Sequence, residues 1–219
     1  MYPHICYACK INNAIKNNAF CISCLADISF TDHFLIRDNE LIRRIMGRVE
    51  IEHGAALHYF HKEGKVQEVI HALKYRNTPQ VGIMLGRAFG YCYQDSDLFP
   101  DADIIIPIPV QYKRLQKRGY NQSFMIAKGI NEVTQIPIGQ KFLVKNKKLV
   151  SQTKKIRSDR FDNVLTSFVL NNGDLLVGKR VLIVDDVLTT GATIEAAITK
   201  LQEVDDITIQ VGVLALALD

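Results

Sequence analysis

The chain has 219 residues, of which 47% are hydrophobic and 23% charged, and its formal net charge is +4. This length predicts one full domain with a small addition, and the apolar content is enough for a sizeable core. No apolar run approaches the ~18 residues of a membrane-spanning helix, so no membrane insertion is expected. The opening residues, MYPHICYACK, lack the basic and then apolar pattern of a signal segment, so we expect a cytoplasmic protein.

Four of the five cysteines form two Cys-x2-Cys pairs near the start of the chain: Cys6, Cys9, Cys21 and Cys24. Eleven residues separate the pairs, which is the spacing of a four-cysteine zinc site. Two such turns complete a tetrahedral shell and leave no open position, so the predicted site is structural. The alternatives are two disulfides or free thiols, and disulfides do not suit a cytoplasmic chain. We predict a zinc-binding knuckle over residues 1–30.

Hydrophobic spacing predicts the next elements. Residues 31–52 are expected to form a connector helix with Asp38 as its N-cap. The main domain is expected over 53–219. It begins with a strand in AALHYF, a helix in KVQEVIHALKY and a second helix that starts at Pro79.

The second half of the sequence continues this alternation. ADIIIPIPV predicts a buried parallel strand, followed by a basic loop and a helix over 121–134. A weaker strand in PIGQKFLVKN precedes a long polar loop over 149–178 that contains at most one short hairpin. KRVLIVDDV is the strongest strand, and a helix over 192–203 and the strand ITIQVGVLALA follow it. Alternating strands and helices predict an α/β fold with a central parallel β-sheet flanked by helices.

Ligands in such sheets bind at the carboxyl ends of the strands, where the segments 111–121 and 185–193 begin. In the second segment, the carboxylates of Asp185 and Asp186 suit the vicinal hydroxyls of a ribose or a hydrated Mg²⁺. Successive N–H groups after them can form an anion nest at a helix N-terminus. A phosphorylated sugar is therefore the expected ligand, and the residues expected to hold its phosphate are Thr189, Thr190, Gly191, Ala192 and Thr193.

Other functions also place paired acids after a strand. The magnesium motif of ATPases is one, but it requires a GxxxxGK[ST] loop that the sequence lacks. An ordinary strand, acidic turn and helix without a ligand is the second alternative.

Positive charge is concentrated in residues 111–160, which contain thirteen Lys or Arg and two acidic residues and so carry +11 against −7 for the rest. Such a stretch indicates an anionic partner, although a solvated surface is the alternative. The cations expected to bind a pyrophosphate after the buried strand are Lys113, Arg114, Lys117 and Arg118. The polar loop is expected to act as a lid that stabilises a leaving pyrophosphate through Lys154, Lys155, Arg157 and Arg160.

The segment VLIVDDVLTTGAT resembles the 13-residue signature of type I phosphoribosyltransferases, which bind 5-phosphoribosyl-1-pyrophosphate (PRPP). This resemblance implies that Asp185 and Asp186 contact the ribose and that Thr189 to Thr193 surround the 5-phosphate. The chain is similar to the ComF family, whose amidophosphoribosyltransferase-like members are linked to natural competence. The resemblance lies in the order of its motifs: the cysteine pairs, KYR (74–76), IPIPV, KRxxxRGYNQ, SQTKK…DN and DDVLTTGAT. It implies a zinc knuckle on a type I phosphoribosyltransferase core and a role in handling single-stranded DNA.

Two functions remain open. In the first, an enzyme binds PRPP with Mg²⁺ and transfers the phosphoribosyl group to a base or amine, with Asp185, Asp186, Lys154 and Arg157 as catalytic residues. This reaction would belong to nucleotide metabolism or to DNA uptake. In the second, a module keeps the phosphoribosyl site and binds single-stranded DNA or competence-machinery proteins. Bases could then stack on Tyr112 and Tyr120, while Phe124 is more simply explained as part of a buried helix face.

Overall fold

Helices and strands alternate along the chain in the computed structural model, which describes residues 5–16, 18–146 and 168–218. The helices are α1 (Ile22–Ala26), α2 (Glu40–Ile45), α3 (Lys65–Tyr75), α4 (Pro79–Gln94), α5 (Tyr112–Arg118), α6 (Gln122–Thr134) and α7 (Ala192–Leu201). The strands are β1 (His53–Phe60), β2 (Ile104–Pro107), β3 (Leu143–Lys145), β4 (Phe168–Leu170), β5 (Arg180–Leu188) and β6 (Thr208–Ala217), and a 3-10 helix spans Gly173–Leu176. The predicted lid residues Lys154, Lys155, Arg157 and Arg160 lie outside the described residues.

The main sheet has four parallel strands in the order β1-β6-β5-β2. Its two inner strands, β5 and β6, are the apolar runs of the sequence, and most of their residues are buried. This is the pattern expected of parallel strands covered on both faces. The predicted α/β fold with a central parallel sheet is therefore confirmed. A separate antiparallel pair joins β3 to β4.

Two glycines allow α4 and α6 to pack closely. A Cβ atom at Gly86 would clash with the carbonyl oxygen of Ile126, and one at Gly129 would clash with that of Ile83. Only a residue without a Cβ atom permits this close approach of two helix backbones. The packing fixes α6 beside the sheet, so that its N-terminus lies at the carboxyl end of β5.

The four-cysteine segment packs on the same apolar cluster as β1 and α3. Cys6, Phe20 and Cys24 are buried together with Leu57 and Val69. The predicted boundaries between the knuckle, the connector and the main domain remain a prediction. Within the described residues, no helix combines the length and apolar character that crossing a bilayer requires.

The predicted cap of the connector helix is wrong. α2 is capped by Asn39, whose Oδ1 accepts hydrogen bonds from the backbone N–H groups of Leu41 and Ile42, each at 3.1 Å. The Asn39 side chain also donates to the carbonyl oxygen of Gly54 at 2.9 Å, which a carboxylate cannot do. Asp38 instead forms an exposed ion pair with Arg43.

The predicted basic loop after β2 is also wrong, because residues Tyr112–Arg118 form α5. This helix has no buried residue, and therefore no apolar periodicity that the sequence could reveal. It ends at Gly119, which has a φ of +82° in the left-handed region that favours glycine.

Candidate functional site

A cleft of about 1270 Å³ opens at the carboxyl ends of β2 and β5. It brings together predicted site residues from distant parts of the chain. Those that line it are Arg114, Lys117, Arg118, Asp185, Asp186, Thr189 and Thr193. Thr190, Gly191 and Ala192 belong to the same turn, although they are not in the lining, and Lys113 lies on the exposed surface of α5. The roles given to these residues remain predictions.

The two carboxylates at the end of β5 are held by the N-terminus of α6. Ser123 Oγ donates to Asp185 Oδ1 at 2.9 Å, and Gln122 Nε2 donates to Asp186 Oδ2 at 2.9 Å. The backbone N–H of Asp186 also donates to Asp185 Oδ1 at 2.9 Å. Lys74 Nζ lies 3.0 Å from Asp186 Oδ1. The acidic pair is therefore fixed by residues that lie far from it in sequence.

Two ionisable groups in the cleft have strongly shifted pKa values. Burial raises the pKa of Asp185 to about 7, and the negative charge of Asp186 adds to the increase. Burial lowers the pKa of Lys145 to about 8, although the charge of Asp185 opposes that shift. Lys145 lines the cleft, with its Nζ 3.7 Å from the centre of the Phe168 ring. Shifted pKa values of a carboxyl and an amine in one cleft are typical of functional sites.

The RGYNQS segment (118–123) has a structural role at each polar position. Arg118 Nε donates to the carbonyl oxygen of Lys74 at 2.7 Å, and the Tyr120 hydroxyl donates to that of Leu73 at 2.5 Å. Asn121 donates to the carbonyl oxygen of Ile108 at 2.9 Å and caps α6 by accepting from the N–H of Ser123. Arg118, which was predicted to bind pyrophosphate, thus uses its Nε to hold the end of α3.

The turn between β5 and α7 is supported by two arginines of the connector region. Arg44 Nη1 donates to the carbonyl oxygen of Thr189 at 2.9 Å, and Arg48 Nη2 donates to that of Thr190 at 3.1 Å. Gly191 caps α7 with a φ of +83°. The two guanidinium groups hold the turn by its carbonyl oxygens. The first N–H groups of α7 have no partner within the helix, so they can serve an anion.

The four predicted metal-binding cysteines form one cluster. Their Sγ atoms all lie within 4.8 Å of one another, and the Sγ atoms of Cys9 and Cys21 are 3.9 Å apart. A Zn–S length of ~2.3 Å in a tetrahedral site gives about 3.8 Å between sulfurs, so this arrangement fits zinc. Backbone hydrogen bonds from Asn12 and Ile11 lower the pKa of Cys9 to about 6, which favours the thiolate that a metal binds, whereas burial raises the pKa of Cys24 to about 12. All four cysteines are free thiols in this structure.

Asp32, His33 and Glu40 form a second group of potential ligands, in which His33 and Glu40 join the connector to β1. His33 is fully buried, with its Nε2 2.9 Å from Glu40 Oε2 and its Nδ1 accepting from the N–H of Ala56 at 3.2 Å. Both ring nitrogens are therefore engaged within the protein. These contacts give the group a role in packing the connector and not in binding a metal.

Of the three aromatic residues considered for base stacking, Tyr112 is exposed. It lies on α5 with 65% of its surface accessible. Tyr120 is only 8% exposed and bonds to α3, so stacking of a base on its ring is not supported. Phe124 is half-buried on α6, which is the burial expected at the edge of a packed helix face.

The parallel sheet, the acidic pair at the end of β5 and the turn at the start of α7 define an α/β protein with a cleft at the carboxyl ends of its strands. Residues 108–217 match the family of phosphoribosyl transferase domains. The match spans half of the chain, and the chain therefore belongs to this family, as a ComF-like protein of the type I phosphoribosyltransferase family.

Two curated proteins and two solved structures illustrate the similarity. The chain is 24% identical over 201 residues to competence protein ComFC of Bacillus subtilis, covering 91% of this chain and 78% of that protein. It is 28% identical over 155 residues to competence protein F of Haemophilus influenzae, covering 68% and 67%. The glutamine PRPP amidotransferase of B. subtilis complexed with ADP and GMP has 21% identity and a TM-score of 0.43, over 64% of this chain. Leishmania donovani UMP synthase has 15% identity and a TM-score of 0.37, over 80% of this chain. The matched regions span 30% of each of these two solved chains.

Proposed function

We propose that the cleft binds PRPP together with Mg²⁺. The observation that carries this proposal is that the acidic pair of β5 and the turn Thr189–Thr193 border the same cleft as the cations of α3 and α5. The carboxylates of Asp185 and Asp186 suit the ribose hydroxyls, and the N-terminus of α7 suits the 5-phosphate. Arg114 and Lys117 suit the diphosphate. Membership of the phosphoribosyl transferase domain family supports this assignment.

The acidic pair also fits Mg²⁺. Carboxylate oxygens are the hard ligands that this ion prefers, and an Mg²⁺ site usually uses one or two carboxylates together with phosphate oxygens. When bound, the ion neutralises phosphate charge and orients the diphosphate. Ser123 and Gln122 hold the two carboxylates in place for this task. The cysteine cluster is proposed to hold a structural zinc ion.

The reaction that we propose is transfer of the phosphoribosyl group to a nitrogen of a base or amine, with release of pyrophosphate. Asp185 and Asp186 position the ribose, while Lys154 and Arg157 of the lid stabilise the leaving pyrophosphate. The relatives are named competence proteins, and we propose a role for this chain in DNA uptake during natural transformation. In the second form of this role, the same site senses PRPP and catalyses no reaction.

One observation favours an additional contact with single-stranded DNA. Tyr112, Lys113, Arg114 and Lys117 are all exposed on α5, and Arg114 and Lys117 also line the cleft. Rings interleaved with cations suit stacked bases and a phosphate backbone. Fluorescence anisotropy with labelled oligothymidine tests this contact. The contact is supported if binding weakens steeply as salt rises and is weaker still in the double variant Lys113→Ala/Lys117→Ala. Binding that changes neither with salt nor in this variant refutes it.

Calorimetric titration of the protein with PRPP, with and without Mg²⁺, tests the main proposal. Asp185→Asn and Asp186→Asn should each abolish Mg²⁺-dependent binding, while Asp97→Asn, an exposed carboxyl outside the cleft lining, should leave it unchanged. Pyrophosphate release measured with a panel of purine bases and amines then separates an enzyme from a sensor. Binding that persists in both cleft variants would place the ligand elsewhere.

A further inference from the structure

Lys74 neutralises Asp186 inside the cleft. Its Nζ is 3.0 Å from Asp186 Oδ1, and the two side chains are 25% and 7% exposed, so the pair is largely shielded from solvent. Gln122 binds the other carboxylate oxygen. Both oxygens of Asp186 are thus engaged by the protein before a ligand arrives. A divalent cation that uses Asp186 must compete with the Lys74 ammonium group.

The backbone beneath Lys74 is fixed by the RGYNQS segment. Arg118 Nε bonds to the carbonyl oxygen of Lys74, and the Tyr120 hydroxyl bonds to that of Leu73. The last carbonyl groups of a helix have no partner within the helix, so these two bonds cap the C-terminal end of α3. The side chain of Lys74 therefore starts from a fixed point and moves only along its flexible four-carbon stem.

We infer that Lys74 is an exchangeable counter-ion of the phosphoribosyl site, bound to Asp186 in the empty cleft and to ligand phosphate in the occupied one. Two like charges within a few ångströms repel, so a divalent cation on the acidic pair drives the ammonium group away from Asp186. A diphosphate in the same cleft then offers it new oxygen partners. This inference rests on the proposed function and assigns a role to the first residue of KYR (74–76).

The exchange has opposite consequences for two ligands. Without the Lys74 charge, a divalent metal ion alone meets less repulsion at the acidic pair and binds more tightly. PRPP with Mg²⁺ loses one cationic partner and binds more weakly. A residue that only supports the fold would weaken both interactions, which separates an exchangeable counter-ion from a purely structural lysine.

The test compares Lys74→Met, which keeps the length of the stem, with Lys74→Arg, which keeps the charge. Mn²⁺ alone serves as the metal probe, followed by electron paramagnetic resonance of the free ion, and PRPP with Mg²⁺ is followed by calorimetry. We expect Lys74→Met to bind Mn²⁺ about tenfold more tightly and PRPP about tenfold more weakly. Lys74→Arg should recover most of the PRPP affinity. Lys128→Met, an exposed lysine of α6, is the matched control and should match the wild-type protein in both assays.

Asp186→Asn must weaken Mn²⁺ binding, because the inference requires the ion to bind the acidic pair. Weaker binding of both ligands to Lys74→Met, or no change in either, would overturn the inference while the proposed function stands. Failure of the wild-type protein to bind PRPP would instead overturn the proposed function, and the phosphate half of the inference with it. Circular dichroism of each variant verifies that the fold is intact.

Discussion

Arg44 Nη1 donates a 2.9 Å hydrogen bond to the carbonyl oxygen of Thr189, a residue 145 positions further along the chain. The same guanidinium donates to the carbonyl oxygen of Ala217 at the end of β6. The connector helix therefore supports the turn of the phosphoribosyl signature from behind, at the carboxyl ends of two neighbouring strands. This contact joins the segment after the cysteine cluster directly to the proposed phosphate site.

Substitution of Arg44 by Ala should weaken PRPP binding although the side chain does not line the cleft. Two backbone carbonyl groups lose a charged donor, which typically costs ~1–3 kcal/mol each and frees the turn to change shape. We expect at least a tenfold increase in the Kd for PRPP and a lower unfolding temperature. Arg43→Ala is the matched control, since that neighbouring arginine of α2 pairs with the exposed Asp38 region. Equal affinities of the two variants would contradict this role.

Gln122→Ala and Ser123→Ala should reduce Mg²⁺-dependent PRPP binding. Both side chains hold a carboxylate oxygen at 2.9 Å, and loss of such supporting hydrogen bonds typically costs 10–100-fold in metal affinity. Calorimetry with PRPP at several Mg²⁺ concentrations measures the change as a higher Mg²⁺ requirement. Gln94→Ala, at the exposed end of α4, should show no such shift. A Mg²⁺ requirement that stays at the wild-type level would mean that the acidic pair does not bind the ion.

The raised pKa of Asp185 predicts that the stability difference between the wild-type protein and Asp185→Asn depends on pH. An unfolded Asp titrates near ~3.9 and the folded residue near 7, so the folded protein binds more protons between these values and loses stability as pH rises. Asp185→Asn removes this penalty. We expect it to raise the unfolding temperature by several degrees at pH 8 and to have little effect at pH 4.

Thermal unfolding followed by circular dichroism at both pH values checks this prediction. Because Asp185 is only half-buried, about 2 kcal/mol is the expected size of the effect at pH 8. Gln94→Ala, a change at the exposed end of α4 that involves no ionisable group, should produce the same small change at both pH values. A stabilisation by Asp185→Asn that is equal at pH 4 and pH 8 would show that the carboxyl titrates normally.

Loss of the metal should destabilise the main domain as well as the cysteine segment. Phe20 and Cys24 are buried in the same cluster as Leu57 and Val69, so an unfolded knuckle would expose part of that shared core. We expect one zinc ion per chain by elemental analysis, and a lower unfolding temperature after chelation or in Cys24→Ser. Cys92→Ser, which lies outside the four-cysteine group, should keep the zinc. A zinc-free protein with an unchanged unfolding temperature would contradict this coupling.

The parts of the fold that the sequence predicts are those with strong apolar periodicity. β5 and β6 are long apolar runs, and α3 has its apolar residues on one face, so their positions follow from the sequence. α5 does not, because it buries no side chain and its cations resemble those of a loop. The cap at Asn39 also depends on a tertiary bond to Gly54, which local sequence does not reveal.

The residues of the candidate site are likewise only partly predictable from the sequence. Asp185 and Asp186 can be predicted, because two acids at the end of an apolar strand have a recognisable local pattern. Lys74 and Lys145 cannot, since they reach the cleft only through the packing of α3 and β3. Gln122 ends the KRxxxRGYNQ motif of the ComF resemblance and Ser123 follows it, but the structure is needed to see that they bind the acidic pair.

Gly191→Ala should disrupt the phosphate turn in two ways. The residue has a φ of +83°, which disfavours any side chain, and a Cβ atom there would lie 2.9 Å from Ile45 Cγ2 and 3.1 Å from Arg48 Nη2. Gly178→Ala provides a matched control, because Gly178 also has a positive φ, of +68°, but a Cβ atom there would meet nothing within 4 Å. Both variants should lose ~1 kcal/mol of stability from backbone strain.

Only Gly191→Ala should also push α2 away from the turn and weaken PRPP binding, by tenfold or more in calorimetry. The difference between the two variants therefore isolates the contact between the turn and the connector from the conformational cost of the substitution. If both variants bind PRPP as tightly as the wild-type protein, the turn at Gly191 does not shape the phosphate site.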